Sequence, residues 1–399
     1  MAAEVDGWLP GDRAMSWDSK TLASRWIPVA LAVLGWVAAP RAPVAAQEEP
    51  AAGFEAMVEV TEVLLDVLAV DGSGEIVTGL GEDDFVVEEN GEPVEITDVG
   101  FYATRYGPDG SLLADASGKP LDEAIPSTRI PSSRYFVLFF HDQARSGAVG
   151  KYLASRQTRA KEDSLLWIEE RMLPSDWVAI VSYDRWLRVH QDFTQDRTAL
   201  GQGISSAISR RDPAEDAGRR DRMLPPSGAP SLLRHLPVGK DLRKETRTPY
   251  DAIRLVAEAV GWIVGRKNLL LFSRGFGGSG SGYVVTVPDR HRYPPMERAL
   301  NDHNVAVYTI DLTPRNVDRF QGLFLNRLAL DTGGLYYRHQ VSFLPALEQI
   351  SQENAGYYLV SYQSEHRAAE VGYQRVKVRC RDPSVKLRAR KGYRFGSDD

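Results

Sequence analysis

The chain has 399 residues, of which 43% are hydrophobic and 26% charged, a composition typical of a globular protein with two or three domains. Its formal net charge of −6 argues against non-specific nucleic-acid binding through a basic surface. The single cysteine, Cys380, excludes an intrachain disulfide and is most simply a strand residue.

A short apolar run near the start of the chain predicts an export signal. Basic residues precede apolar residues 27–39, and small residues up to Ala46 follow them. The run is shorter than the ~20 residues of a membrane span, and a small-x-small end after a short apolar core is typical of a signal peptide. We therefore predict a signal peptide over 1–46, with translation starting at Met1 or Met15.

Cleavage of this signal would leave a periplasmic or secreted chain that begins near Gln47. No other apolar run of the sequence reaches the length that a bilayer requires, so the mature chain is expected to have no membrane span. The alternative is a signal anchor that stays uncut. An extracytoplasmic location is expected in either case.

Residues 55–104 are predicted to form an N-terminal β segment. Residues 58–70 alternate in polarity at their start and are apolar at their centre, as in a half-buried strand. Asn90-Gly91 lies between two further β runs and is a strong hairpin signal, and Pro93 suits an edge strand.

Residues 132–355 show alternating strand and helix patterns. Repeated βα units predict a mainly parallel sheet with helices on both faces. The apolar strands are RYFVLFFH, DWVAIVSYD, RKNLLLFSRG, VAVYTIDL and LYYRH, with RWLRVHQDF as a hairpin partner of the second. Within this region, the charged and proline-rich residues 210–247 are expected to be a solvated, partly disordered insertion.

Residues 356–398 return to a β pattern. Neither this segment nor residues 55–104 offers enough strands to bury a core alone. We therefore expect the two segments to pack together. The predicted fold class is α/β, with a doubly wound, mainly parallel sheet inserted in or flanked by a small β-sandwich-like domain.

The first strand of the α/β region ends at a polar elbow that carries the main candidate site. The stretch YFVLFFHDQARSG places Asp142 directly after an apolar strand and before a long helical pattern. Such strand-to-helix junctions lie at the carboxyl edge of a parallel sheet, where ligands bind. From the residues alone, Asp142 could be a metal ligand, a catalytic acid or a helix cap.

Several segments, in fixed order over residues 57–398, resemble the bacterial VWFA-related secreted proteins, whose α/β part is similar to a von Willebrand factor type A domain. The matching segments are VLLDVLAVDGSGEIVTGLGEDDFVVEENGEPVEITDVGFY, GRKNLLLFSRGFG, NVAVYTIDL, LALDTGGLYY, YYLVSYQ and VKLRARKGYRF. The resemblance implies a doubly wound fold, an extracytoplasmic location and a binding role.

The resemblance also implies a metal-ion-dependent adhesion site, which in type A domains begins with Asp-x-Ser-x-Ser. Here Asp142 matches the first Asp and Ser146 the last Ser, but Ala144 replaces the middle Ser. Arg274 stands where the family has a second Asp. Because a cation at this position repels a metal ion, we expect Arg274 to pair with Asp142 in its place.

The later threonine of the family's site matches either Thr246 or Thr248. The predicted binding edge therefore comprises Asp142, Ser146, Thr246, Thr248 and Arg274. We predict a non-enzymatic, exported module with a degenerate metal site and no cofactor, which binds a protein or an envelope component and no nucleic acid.

Two alternatives stay open at this point. One is an adhesion domain with a working Mg²⁺ or Mn²⁺ site formed by Asp142, Ser146 and Thr248. The other is an extracytoplasmic hydrolase that uses His141 with Asp142 and Ser146, although the sequence has no Gly-x-Ser-x-Gly elbow.

Overall fold

A computed structural model describes most of the chain after the predicted signal peptide. The described ranges are 58–103, 133–142, 147–209, 217–276, 288–313, 322–367 and 371–396. The predicted signal over 1–46 and Ser146 of the predicted site lie outside these ranges. No helix within them has the length and apolarity that a bilayer crossing requires.

The described residues form fourteen strands and eight α-helices. The strands are β1 Val58–Val70, β2 Phe85–Glu89, β3 Glu92–Val94, β4 Ile96–Ala103, β5 Arg134–His141, β6 Asp176–Tyr183, β7 Leu187–Thr194, β8 Lys267–Ser273, β9 Val305–Asp311, β10 Tyr336–Tyr337, β11 Gly356–Arg367, β12 Gly372–Cys380, β13 Lys386–Arg388 and β14 Gly392–Phe395. The helices are α1 Gly147–Glu170, α2 Arg197–Ile208, α3 Ala217–Met223, α4 Lys240–Glu245, α5 Pro249–Ala259, α6 Tyr293–Asp302, α7 Gly322–Asp331 and α8 Leu344–Glu353.

The central sheet has six strands in the order β10-β9-β8-β5-β6-β7, and all neighbours are parallel except the β6–β7 hairpin. Its strands are buried on both faces. In β5, Phe136 and Phe140 pack on the side of α1, α2 and α8, whereas Val137 and Phe139 pack on the side of α5, α6 and α7. Side chains alternate between the two faces of the sheet, and helices cover both faces, so every residue at the centre of the strand is buried. The predicted doubly wound sheet is confirmed.

Two antiparallel sheets with a third core between them flank the α/β part. Their strand orders are β13-β1-β11-β4 and β14-β12-β2-β3. In the first sheet, β1 from the N-terminal segment lies between two C-terminal strands, pairing Val67 with Tyr358 of β11 and Leu68 with Arg388 of β13. The second sheet places β12 beside β2. Strands from the two ends of the chain alternate in the first sheet and meet at the β12–β2 pair in the second.

The insertion differs from the expectation of a solvated loop over the range in which the structure describes it, 217–247. Leu232, Leu233 and Leu236 are buried in the core of the α/β part. Asp192 on the edge strand β7 accepts hydrogen bonds from Ser231 Oγ at 2.6 Å and from the Leu232 backbone N–H at 2.7 Å. These contacts pack the insertion against β7 and give the buried Asp192 carboxylate its hydrogen-bond partners. The expectation rested on the charge and proline content of the segment, whereas its few leucines decide how it packs.

Removal of residues 47–104 should unfold the C-terminal strands or make them aggregate. The deletion takes β1 from between β13 and β11 and β2 from beside β12, which exposes strand edges and the third core. We expect a chain of residues 130–398 to aggregate in size-exclusion chromatography and to lack a cooperative urea transition. Deletion of residues 1–46 alone serves as the control and should leave a monomer. A soluble, cooperative 130–398 monomer would contradict this prediction.

Candidate functional site

Asp142 lies at the carboxyl end of the central strand of the parallel sheet. β5 pairs with β6 on one side and β8 on the other, and its last residue, His141, is in register with Tyr183. The Asp142 backbone N–H continues this pairing by donating to the Tyr183 carbonyl at 2.7 Å. The geometry thus places the Asp142 carboxylate at the edge where parallel sheets bind ligands.

The cation that the structure places against Asp142 is Lys161 of α1. Its Nζ lies 2.7 Å from Asp142 Oδ2 and also donates to the Ala207 carbonyl at 3.1 Å. Asp142 is 2% exposed and Lys161 is 3% exposed, so this ion pair is shielded from solvent. The negative charge of the predicted metal ligand is therefore compensated from inside the protein.

Sequence reasoning missed Lys161, although a signal for it exists. Leu153, Gln157, Lys161, Ser164 and Ile168 follow each other at helical spacing and are all buried. A lysine on the buried face of a helix requires a buried partner. The pattern indicates that such a partner exists, but not that it is the carboxylate at the end of β5.

Arg274 follows the last residue of β8 and is 8% exposed, so it does not point into solvent. Burial lowers the pKa of His141 to about 3, and the positive charge of Arg274 contributes to this shift. The guanidinium therefore lies within electrostatic reach of the end of β5. A direct pair between Arg274 and Asp142 stays a prediction, as does any role of Ser146.

His141 is part of a buried hydrogen-bonded pair. Its Nδ1 lies 2.8 Å from Ser273 Oγ, which also accepts from the Gly275 backbone N–H at 2.9 Å. Ser273 has no exposed surface, and His141 is buried. The pair has the residue types of a nucleophile and a base, but both side chains are enclosed in the protein.

A second buried histidine lies beside the Asp142–Lys161 pair. His190 of β7 contacts Ser182 Oγ through Nε2 at 2.7 Å and Ser206 Oγ through Nδ1 at 3.3 Å. Burial, and next the nearby ammonium of Lys161, lower the pKa of His190 to about 3. His190 is therefore neutral at ordinary pH, and it leaves Lys161 as the positive partner of Asp142.

The two candidate threonines serve the fold in the structure. Thr246 is fully buried, donates from Oγ1 to the Leu242 carbonyl at 2.7 Å and accepts from the Leu187 backbone N–H at 3.1 Å. Thr248 caps α5 by accepting from the Asp251 backbone N–H. Both hydroxyls are thus engaged by neighbouring groups of the chain.

Asp142 Oδ2 and the hydroxyls of both candidate threonines already have partners within the protein. Lys161 holds Asp142, and the fold holds Thr246 and Thr248. In the part of the chain that the structure describes, no group of three or more His, Cys, Asp or Glu side chains is arranged to hold a metal ion. These donors do not fit the oxygen-rich, negatively charged site that Mg²⁺ requires.

The same edge presents an aromatic side chain between two cations. Trp186 lies in the β6–β7 hairpin and is half-buried. The guanidinium carbons of Arg188 and Arg243 lie 4.8 Å and 5.0 Å from the centre of its ring, within the range of cation–π contacts. Arg243 comes from α4 of the insertion, which is why sequence reasoning did not bring these residues together.

Comparisons with known proteins gave likeness to solved structures only. No protein-family model and no curated protein matches the chain. BatB from Bacteroides thetaiotaomicron is 14% identical over 56% of this chain and 97% of its own, with a TM-score of 0.33. The SpRpn10 VWA domain is 12% identical over 54% and 93%, with a TM-score of 0.30.

Proximal thread matrix protein 1 from the mussel byssus, in a structure with a zinc-occupied MIDAS motif, is 11% identical, with a TM-score of 0.34. The match covers 55% of this chain and 47% of that protein, so this chain spans less than half of its length. At such identities and scores, likeness carries no information about metal, ligand or partner. Membership of the bacterial VWFA-related secreted family stays a prediction.

The two buried histidines should make the protein acid-labile below neutral pH. Both have folded-state pKa values of about 3, below the ordinary 6.5, so the unfolded chain takes up protons that the folded chain cannot. Stability is therefore lost as pH falls below 6.5, by roughly 2 kcal/mol per histidine at pH 5. We expect His190→Gln to reduce the difference between the urea unfolding free energies at pH 7 and pH 5 by about that amount.

The exposed His291 provides the matched control. His291→Gln should leave the difference between pH 7 and pH 5 unchanged. An equal effect of both variants would show that the buried His190 does not set the acid lability.

Proposed function

We propose that the chain is an exported, non-enzymatic binding module that contacts a protein or an envelope component through the carboxyl edge of the six-stranded sheet, without a divalent metal ion. The observation that carries this proposal is the buried ion pair between Asp142 and Lys161. The signal-like N-terminal sequence supports export.

The electrostatics of the pair disfavour a metal ion at Asp142. Two unit charges of like sign 4 Å apart repel by about 4 kcal/mol at an effective dielectric constant of 20, and a divalent ion doubles this value. A metal ion bound to Asp142 would meet the Lys161 ammonium, which lies 2.7 Å from the carboxylate. The positive charge of Arg274 near His141 adds to the repulsion. These charges support a binding edge that works without a metal ion.

The surface chemistry of the edge suits protein recognition. Aromatic and arginine side chains dominate the binding energy of many protein interfaces. Trp186 with Arg188 and Arg243 offers such a group, and Arg185 at the tip of the same hairpin is exposed. We infer that Trp186 is the centre of the contact.

The enclosure of His141 and Ser273 supports a role without catalysis. A nucleophile must reach a substrate, and these side chains face each other inside the protein. The low pKa of His141 also leaves it neutral and a weak base at ordinary pH.

Metal ions should leave the wild-type stability unchanged. We expect the midpoint of thermal unfolding to be the same with Mg²⁺, Mn²⁺ or a chelator. Lys161→Met should lower the unfolding free energy by roughly 3–5 kcal/mol, because it removes the ammonium that compensates the buried Asp142 charge. Combined with Arg274→Asp, it should create Mg²⁺ or Mn²⁺ affinity that calorimetry detects.

Lys151 of the same helix is exposed, and Lys151→Met is the matched control. It should change stability by less than about 0.5 kcal/mol and create no metal affinity. Stabilisation of the wild type by Mg²⁺ that a chelator reverses would instead identify an adhesion domain with a working metal site.

Trp186→Ala should abolish capture of the partner. The test immobilises the full chain, captures proteins from the envelope fraction of the native cell, and compares bound bands with and without chelator. Because the contact needs no metal ion, we expect the bands to persist with chelator and to be lost in Trp186→Ala. Trp262→Ala, which alters a tryptophan that precedes β8 at the opposite end of the sheet, should retain them. Bands that chelator removes, or that both variants retain, would contradict the proposal.

A further inference from the structure

A groove with a volume of about 850 Å³ lies between the α/β part and the β-sandwich. One wall comes from α6 and α7, and the other from β12 and the chain between β13 and β14. Residues 55–399 form one compact unit, so both walls belong to the same body. None of Asp142, Thr246, Thr248 and Arg274 lines this groove, which is therefore separate from the carboxyl edge.

The groove is strongly basic in a protein whose net charge is −6. Seven Lys or Arg side chains line it, against two acidic side chains. Five of the seven are exposed: Arg298, Arg327, Arg375, Lys377 and Lys391. Because they come from both walls, a ligand between the walls would meet cations on two sides.

The two acidic groups do not cancel this charge. Asp331 accepts from Tyr293 Oη at 2.7 Å and forms ion pairs with Lys391 at 2.8 Å and Arg327 at 3.2 Å. Glu297 is half-buried, and burial and the Asp331 charge raise its pKa. Asp331 thus fixes two of the cations in place, and Lys377 and Arg388 pair with Glu88 at 3.8 Å and Glu353 at 2.6 Å. Seven cations therefore meet four carboxylates, and the groove keeps an excess of positive charge.

The remaining surface of the groove is largely apolar. Leu330, Val378 and Leu387 lie among the basic residues. Among the described residues that line the groove, Tyr373 alone is aromatic, and its hydroxyl accepts a hydrogen bond from Asn301 Nδ2 at 3.1 Å. Proteins bind single-stranded nucleic acids by stacking successive bases on several aromatic side chains. The mixture of cations and aliphatic side chains instead matches a peptide that alternates carboxylates with apolar residues.

We propose that this groove binds an acidic, extended peptide segment of a partner protein. Arginine guanidinium groups bind carboxylates with paired hydrogen bonds, which suits them to such a ligand. Successive side chains of an extended segment point in opposite directions, so acidic residues can face the cations while apolar residues contact Leu330 and Leu387. This site goes beyond the binding edge at Asp142 and uses different residues.

The test measures fluorescence anisotropy of a labelled peptide of about eight residues that alternates Glu and Val, titrated with the full chain. We expect saturable binding that weakens as the NaCl concentration rises from roughly 0.05 to 0.5 M. The matched peptide of alternating Lys and Val should not bind. Arg375→Gln with Lys377→Gln, and separately Arg298→Gln with Arg327→Gln, should each weaken binding about tenfold.

Arg381→Gln with Lys386→Gln is the control, because both residues are exposed on the sandwich and lie outside the groove lining. It removes the same charge and should leave the affinity unchanged. The two walls are tested independently, so a variant of one wall that fails to fold leaves the other as a test.

Three results would overturn the proposal. The first is that the control pair weakens peptide binding as much as the wall variants do. The second is that the folded wall variants bind the peptide with unchanged affinity. The third is that the protein binds an acidic heparin-derived oligosaccharide more tightly than the Glu-Val peptide. Trp186→Ala should not alter peptide binding, so failure of the groove and failure of the carboxyl edge are distinguishable.

Discussion

The buried ion pair between Asp142 and Lys161 is the constraint around which the carboxyl edge is organised. It joins the end of the central strand to the first helix and, through the Ala207 carbonyl, to the second helix. Removing either charge would strand the other in a protein interior, where an unpaired ion is strongly destabilising. His190 lies near the Lys161 ammonium and stays neutral, which leaves Lys161 as the cation that pairs with Asp142.

Buried charges also join the α/β part to the β-sandwich. Asp66 of β1 is buried, which raises its pKa, while its hydrogen bond with Asn304 and the charges of Arg266 and Arg390 act against the increase. Burial lowers the pKa of Lys267, at the start of β8, to about 8. Because isolated ions are costly to bury, these groups favour one relative placement of the two parts. The basic groove lies beside this junction and shares Arg390 with it.

The two proposed surfaces differ in how they use charge. At the carboxyl edge, the Asp142 and Lys161 charges pair in the interior, and Trp186 with its flanking arginines is the proposed contact group. In the groove, five exposed cations outnumber the carboxylates, so long-range attraction would contribute to binding there. A module with both surfaces can hold one partner by packing and another by charge.

Sequence patterns alone were sufficient to predict the α/β sheet and to place Asp142 and Arg274 at its carboxyl edge. Strands such as β5 and β8 are continuous apolar runs, and the polar residues that follow them, Asp142 and Arg274, necessarily meet at one edge of a parallel sheet. The hairpin at Asn90-Gly91 could also be predicted from the sequence, because this turn requires residues that tolerate a positive φ. These features depend on local periodicity and turn chemistry.

Only the tertiary structure decided which groups touch. Lys161 reaches Asp142 because α1 packs on one face of the sheet beside β5, and spacing along the chain does not predict this packing. The same holds for the insertion, whose Leu232 and Leu233 cover β7, and for the groove, whose walls are far apart in sequence. Local patterns determine which residues are buried, whereas the packing of distant elements determines their partners.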